Sequence, residues 1–316
     1  MKKAPDFNSF LCEELKNYVD FMVGNGRSFR VEITLLKEFD RFLQTQTRQE
    51  VDADCVDAFV RIKSHLSDEQ YAKRHRVIRK FIEHRAIRGR GEPILAPPKT
   101  YSGGKRIPYF YTDSDISRLI ADAGELTPTN SLRPHTFQII IGLLCCTGMR
   151  ISEALNLDID DVDLDNCVLY IRNTKFKKSR YVPIHQTACA ALKCYTELKG
   201  QYFPIPKDRA FFLSNKGGRI AYATFNSAFN HLIRRTGIGG DGRNSRTHDL
   251  RHTFAVNRLL AWYEEGADIH DRLPELSTYM GHAKFEDTTH YLNASAELMA
   301  KGATRFQFRD RGDNNA

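Results

Sequence analysis

The chain has 316 residues, 41% of them hydrophobic and 27% charged, with a formal net charge of +8. That length suits one large domain or two of ordinary size, and the charged fraction excludes a membrane-embedded or a disordered chain. No apolar run approaches the roughly 20 residues that span a bilayer, and the basic start at Met1 leads into a mixed polar segment and not a signal peptide, so a cytosolic location is expected.

The first hundred residues read as a small helical unit. Phe10, Leu11, Leu15, Tyr18, Val19 and Met22 recur at helical spacing, and Gly24 and Gly26 then break the chain. Ser28 is placed to cap a second helix carrying Leu35, Leu36, Phe39, Phe42 and Leu43. A third helix is expected over Val56 to Leu66 and a fourth over Asp68 to Arg88, the latter holding Val77, Ile78, Phe81 and Ile82. From Lys73 to Arg90 there are eight Lys or Arg and one acid, Glu83. A run so nearly one-signed offers little self-pairing, which leaves Lys73, Arg76, Arg79 and Lys80 available to phosphates. The overall basic surplus suits the same partner without proving it.

Pro93, Pro97, Pro98, Gly103, Gly104 and Pro108 cannot continue a helix, and residues 96–107 read as a linker whose Lys105 and Arg106 can track a DNA backbone. This divides the chain into a helical unit over 1–95 and a second unit over 108–316. In the second unit Thr112 or Asp113 caps a helix with Ile116, Leu119 and Ile120, and Phe137 to Cys146 is an apolar, buried helix. Cys167 to Arg172 and Tyr181 to Ile184 read as the two strands of a hairpin, with Phe211 to Leu213 as a short further strand before a turn at Asn215 to Gly218. Helices are expected near Thr224–Arg235, Thr247–Tyr263, Leu273–Met280 and from Glu286 onward. The seven cysteines are odd in number and form no C-x-x-C pair, so free thiols are expected and a disulfide framework or zinc site is not. Asp158, Asp160, Asp161, Asp163 and Asp165 cluster where a turn precedes the first strand and are not read as a metal site.

Four local patterns carry chemistry. In Thr147-Gly-Met-Arg150-Ile-Ser-Glu153 an Arg follows a glycine break at a helix start, where it can point a planar fork at an anion, or can simply pair with Glu153 three residues on. In Asn173-Thr-Lys175-Phe-Lys-Lys178-Ser-Arg180 four cations occupy the hairpin turn, a solvated tip or one that reaches a DNA groove. In Thr247-His248-Asp-Leu-Arg251 the His and Arg share a helix face and can hold two oxygens of one phosphate, or else act as a cap and a surface ion pair. Gly281-His282 precedes Tyr291 by nine residues, room for a turn and the opening of a helix.

Taken in that order, Arg150, Lys175, His248, Arg251, Gly281-His282 and Tyr291 resemble the tyrosine recombinases, or phage-type integrases, closely over Pro108 to about Leu298. The resemblance implies a mainly α fold with a small antiparallel β-sheet: a helical N-terminal core-binding domain and a mixed α/β catalytic domain. It implies that Arg150 and Arg251 clamp the scissile phosphate, His248 and His282 complete the cage, and Tyr291 attacks phosphorus to form a 3′-phosphotyrosyl link. Lys175 takes the place of the general acid, with Lys177 and Lys178 as alternatives because Phe176 stands where a glycine is usual, and Glu153 that of a supporting residue. Lys177 and Lys178 also count among the DNA-contacting cations. No metal or other cofactor is implied, since guanidinium and imidazole groups can stabilise the charge gathered on the phosphate, and the covalent link conserves the phosphodiester energy. The implied partners are a double-stranded DNA recombination site and three further copies of the chain in a tetramer, nucleoid-associated and not on a membrane. The tail after Tyr291, with Leu298, Met299, Phe306 and Phe308, docks on its own subunit or on a neighbour. Residues 261–274, rich in acids, read as an insertion or a lengthened helical hairpin. The implied activity is site-specific recombination, in integration, excision or resolution. A topoisomerase-like DNA relaxer of type IB and a catalytically silent DNA-binding protein are the two competing readings.

Overall fold

The computed structural model describes residues 6–25, 29–46, 50–89, 108–172, 179–239 and 245–282, together with Thr288 and Tyr291. The chain forms two compact units, Met1–Arg106 and Ile107–Ala316.

Among the described residues the first unit holds four helices: α1 (Cys12–Gly24), α2 (Arg30–Gln44), α3 (Ala53–Arg61) and α4 (Asp68–Ile87). Their apolar stripes meet in one core in which Leu15, Leu36, Phe39, Phe59, Ile78, Phe81 and Ile82 are almost wholly inaccessible. Each such side chain contributes about 1.5–3 kcal/mol by leaving water. Ser67 and Gln70 form a reciprocal capping box that starts α4 sharply. The start of α2 differs from expectation: Phe29 precedes it with no side-chain cap, and Ser28 lies outside the described residues. Helix α3 begins earlier than its periodicity predicts, because Asp52 caps it through the Cys55 N–H, and it ends earlier, at Arg61.

The second unit contains α5 (Asp113–Ala123), α6 (Leu132–Thr147), the short α7 (Ile151–Leu155), strands β1 (Val162–Asp163), β2 (Val168–Ile171) and β3 (Arg180–Pro183), and α8 (Gln186–Tyr202). Helices α9 (Tyr222–Thr236), α10 (Thr247–Glu264) and α11 (Ile269–Met280) follow. The sheet is antiparallel in the order β1-β2-β3, with Leu169 opposite Val182 and Ile171 opposite Arg180. Helix α6 is apolar nearly all round and packs against α5, α8 and α10, as a central buried helix should. A second apolar cluster joins α10 and α11 through Val256, Leu259, Leu273, Leu276 and Met280, and Tyr291 is part of it.

Three departures from expectation, and one open alternative now decided, stand out. Phe211–Leu213 is no strand; only isolated bridges, Asp158 with Ala210 and Leu213 with Arg219, form there. Helix α8 was missed, and so was the two-residue β1, which stands where a turn was expected. Residues 261–274 are a lengthened helical hairpin, because α10 runs to Glu264 and α11 resumes at Ile269. The clustered aspartates are taken up by the chain itself: Asp158 pairs with Arg219, Asp160 with Arg209 and Asp161 with Arg172, while Asp163 accepts from Asn166. No disulfide joins any of the seven cysteines.

Candidate active site

The site begins where α6 ends. Gly148 closes that helix in the left-handed region at φ +60°, and a Cβ there would fall 2.3 Å from Phe254 Cδ1. Only glycine fits both conditions, and the reversal turns the chain toward Arg150, which precedes α7. The Arg150 backbone N–H donates to Glu153 Oε2 at 3.0 Å, and its Nη1 donates to Glu153 Oε1 at 2.9 Å. The intrahelical ion pair weighed as the alternative to an anion-binding Arg is therefore present. It does not exhaust the guanidinium, whose Nη1 and Nη2 both also reach the Gly281 carbonyl at 3.2 Å.

Helix α10 supplies His248 and, one turn on, Arg251. The Arg251 side chain is buried, donating from Nη1 to Gly148 O at 2.7 Å and from Nη2 to Met280 O at 2.9 Å. It is no surface ion pair. It ties together the C-terminal ends of α6 and α11.

The end of α11 gathers the site. Its last carbonyls have no partner within the helix and carry the negative end of the helix dipole. Three arginines satisfy three successive ones: Arg180 Nε donates to Tyr279 O at 2.8 Å, Arg251 to Met280 O and Arg150 to Gly281 O. Gly281 stands at φ +70° and ends the helix, and His282 follows immediately. His282 Nδ1 lies 2.7 Å from the buried Thr288 hydroxyl, which holds the ring in place. Tyr291 is 4% exposed; its ring stacks on that of His282 at 6.0 Å and lies tilted against that of His252 at 5.4 Å. The His252 ring in turn meets the ring of His248 at 4.9 Å, edge to face.

The electrostatics follow from burial and from crowded cations. Burial, with Arg251 and Arg150 next, pulls the His282 imidazole down to about 3, and His248 is lowered by the same causes in the same order. Both rings are neutral at neutral pH and can donate or accept hydrogen bonds. Burial and the Arg150 charge lower Arg251 to about 10, with the Tyr291 hydroxyl among the groups acting on it; it remains a cation. Burial alone would raise Glu153, but the hydrogen bonds and charges of Arg180 and Arg150 outweigh it and hold the carboxyl below its usual range. Such a cluster, with more cations than anions, can hold a tetrahedral anion beside a phenol.

An open groove of about 820 Å³ runs from Arg150 and His248 along α9, lined by Tyr222, Asn226, Asn230 and Arg234 at four-residue intervals. In the first unit, Lys73, Arg76 and Lys80 line a smaller groove of about 390 Å³ with Tyr18, Met22 and Phe29.

The structure brings together Arg150, His248, Arg251, His282 and Tyr291. Lys175, Lys177, Lys178, Lys105 and Arg106 lie outside the described residues. The even availability expected of the α4 cations is corrected: Arg79 pairs with Glu83, and Arg74 and Arg85 turn inward to Glu38 on α2 and Glu14 on α1. Sequence reasoning treated Arg180 only as a turn cation and overlooked Thr288. Alternation along β3 carries the Arg180 signal, since Arg180 and Val182 share the inward face while Tyr181 points out. Among the described residues, no group of three His, Cys, Asp or Glu is placed to hold a metal ion, and no helix is long and apolar enough to cross a membrane.

Residues 110–297 match the family model described as the phage integrase family. The y4rE protein of Sinorhizobium fredii, whose name describes it as an integrase/recombinase, is 35% identical over 97% of this chain and 98% of its own. Tyrosine recombinase XerC of Bacillus subtilis is 26% identical over 95% of each chain. Among solved structures, the Tn1549 transposon integrase in complex with circular intermediate DNA superposes with a TM-score of 0.64 at 17% identity, covering 92% of this chain and 99% of that one. The XerH site-specific recombinase bound to its difH substrate gives 0.63 at 17% identity, over 94% and 85% of the two chains.

Proposed function

The chain belongs to the phage integrase family and is a site-specific tyrosine recombinase, and we propose that Tyr291 is its nucleophile, acting on a DNA phosphodiester held by Arg150 and Arg251. The observation that carries this is the convergence of two guanidinium groups on the successive carbonyls Gly281 and Met280, with His282 next in the chain and stacked on Tyr291.

In this reading the Tyr291 oxygen attacks phosphorus as its phenolic proton passes to the neutral imidazole of His248. A bond from that oxygen to phosphorus forms, the bond from phosphorus to the 5′-oxygen breaks, and a 3′-phosphotyrosyl link remains. Lys175 protonates the departing 5′-oxygen. The guanidiniums and the neutral imidazoles of His248 and His282 stabilise charge on the equatorial oxygens, and the chemistry needs no metal or nucleotide. Reversal by a 5′-hydroxyl of another strand completes exchange.

Double-stranded DNA is the partner. Lys73, Arg76 and Lys80 contact its backbone, and the α9 groove receives the flank of the scissile phosphate, where Asn226, Asn230 and Arg234 offer side chains suited to base edges. The DNA-bound recombinases of the same fold support this. Four copies on paired sites, serving the integration, excision or resolution of a mobile element, complete the proposal. The test is strand exchange between two cognate sites in the presence of EDTA. Recombinant product supports it. Relaxation of supercoils without exchange would point to a topoisomerase, and a strict metal requirement to different chemistry.

A further inference from the structure

Glu153 poses a difficulty for the site. It is a buried carboxylate in direct contact with Arg150, the guanidinium assigned to the phosphate. A lone Glu153 would cancel the charge of Arg150 and compete with the substrate for its donors. Arg180 resolves this. Its Nη2 donates to Glu153 Oε2 at 2.8 Å and its Nη1 to Oε1 at 3.2 Å, a two-pronged contact that occupies both carboxylate oxygens. The Arg180 side chain is 10% exposed and that of Glu153 5%, against 22% for Arg150. The cluster therefore buries a matched pair and leaves Arg150 as its accessible member, with one net positive charge.

Arg180 also acts on geometry. Its Nε holds the Tyr279 carbonyl, and its guanidinium packs where a side chain on Gly281 would stand. The C-terminus of α11, and with it the point from which His282 leaves the helix, is thus fixed against β3.

Resting on the assignment of Arg150 to the phosphate, we propose that Arg180 is a positioning residue for strand cleavage: it takes up the Glu153 charge so that Arg150 keeps its own for the phosphate, and it anchors the α11 end that presents His282. It touches no reacting atom. A purely structural role would also be repaired in stability by removing Glu153, because a buried unpaired carboxylate is itself destabilising; cleavage per folded, duplex-bound chain and the His282 titration are the readouts that such a role would not move.

The experiment measures single-turnover formation of the covalent adduct on a nicked trapping duplex, together with duplex affinity, for the parent chain, Arg180→Gln and the double variant Arg180→Gln/Glu153→Gln. Arg180→Gln is expected to keep duplex affinity and slow adduct formation roughly a hundredfold, the usual cost of a misplaced catalytic group. The double variant is expected to regain at least about tenfold of that, because the unpaired carboxylate is gone. The His282 imidazole resonance in Arg180→Gln should titrate at higher pH than in the parent, since Arg180 is one of the charges that depress it. Parental cleavage in Arg180→Gln, or a double variant no faster than the single, overturns the inference. If only the single variant fails to fold, a double variant that folds and cleaves measurably below the parental rate upholds it, since the α11 anchor is still missing, and one that cleaves at the parental rate, as mere charge pairing would give, or not at all overturns it. Failure of both to fold marks Arg180 as a folding residue and likewise overturns it. Absence of any adduct from the parent chain is a different result, and counts against the nucleophile assignment itself.

Discussion

A Cβ on Gly281 would lie 2.6 Å from Nη1 of Arg180, at a backbone φ of +70° that side-chain-bearing residues rarely adopt. Glycine is thus required twice at the end of α11: once for the turn and once for the guanidinium packed over it. The substitution Gly281→Ala should cost at least about 1 kcal/mol of stability from the backbone alone. It should also displace Arg180 and so slow cleavage more than the stability loss accounts for. Denaturant midpoints and single-turnover cleavage, measured on the same samples, check both. A stable, fully active Gly281→Ala chain would remove the geometric basis for the arginine cluster.

Arg251 tests whether a cation at that place suffices or the planar fork is needed. It spans two carbonyls, Gly148 O and Met280 O, from two different nitrogens. Lysine cannot reproduce this geometry. Arg251→Lys is expected to retain duplex affinity while adduct formation falls by about 10²–10³. Near-parental cleavage in Arg251→Lys would mean that charge alone matters.

Acid stability reports on the two site histidines. His282 and His248 are both held below the ordinary imidazole value of 6.5 in the folded chain, His282 at about 3. Below 6.5 the unfolded chain binds protons that the folded chain refuses, so stability falls as pH drops from about 6.5 toward 3 and is flat above. His282→Asn should lessen that fall. Urea midpoints at neutral pH and near pH 5 provide the measurement; an unchanged or steeper acid dependence in the variant contradicts the assigned shift.

The two surfaces proposed to face DNA should respond differently. Lys80→Ala should weaken binding to all duplexes alike and reduce the slope of affinity against salt by about 1. Asn230→Ala should leave that slope alone and relax preference for a cognate site by about tenfold, if α9 reads base edges. Salt titrations on cognate and scrambled duplexes separate the effects. Equal losses on both sequences for Asn230→Ala would assign α9 to backbone contact only.

Much of the candidate site was legible because its residues sit in local motifs. The glycine break before Arg150, the one-turn spacing of His248 and Arg251, and Gly281-His282 each announce a backbone feature that the structure contains. What escaped depends on contacts between distant segments. Arg180 meets Tyr279 across 99 residues of sequence, and a cation at a hairpin gives no local sign that it points inward unless strand alternation is followed. Arg74 and Arg85 belonged to a run that looked uniformly available, yet their acids came from other helices. Helix α8 was overlooked because its buried positions, Cys189, Leu192, Tyr195 and Lys199, are few and include a lysine whose ammonium donates to the Phe211 carbonyl.

The most direct measurement is to trap the chain on a nicked duplex of a cognate site, digest both polymers and locate the nucleotide-bearing peptide by mass spectrometry. The expected result is a nucleotide on Tyr291 through the DNA 3′-phosphate, and no adduct from Tyr291→Phe with duplex affinity intact. A nucleotide on any other residue, or an adduct persisting in Tyr291→Phe, would contradict it.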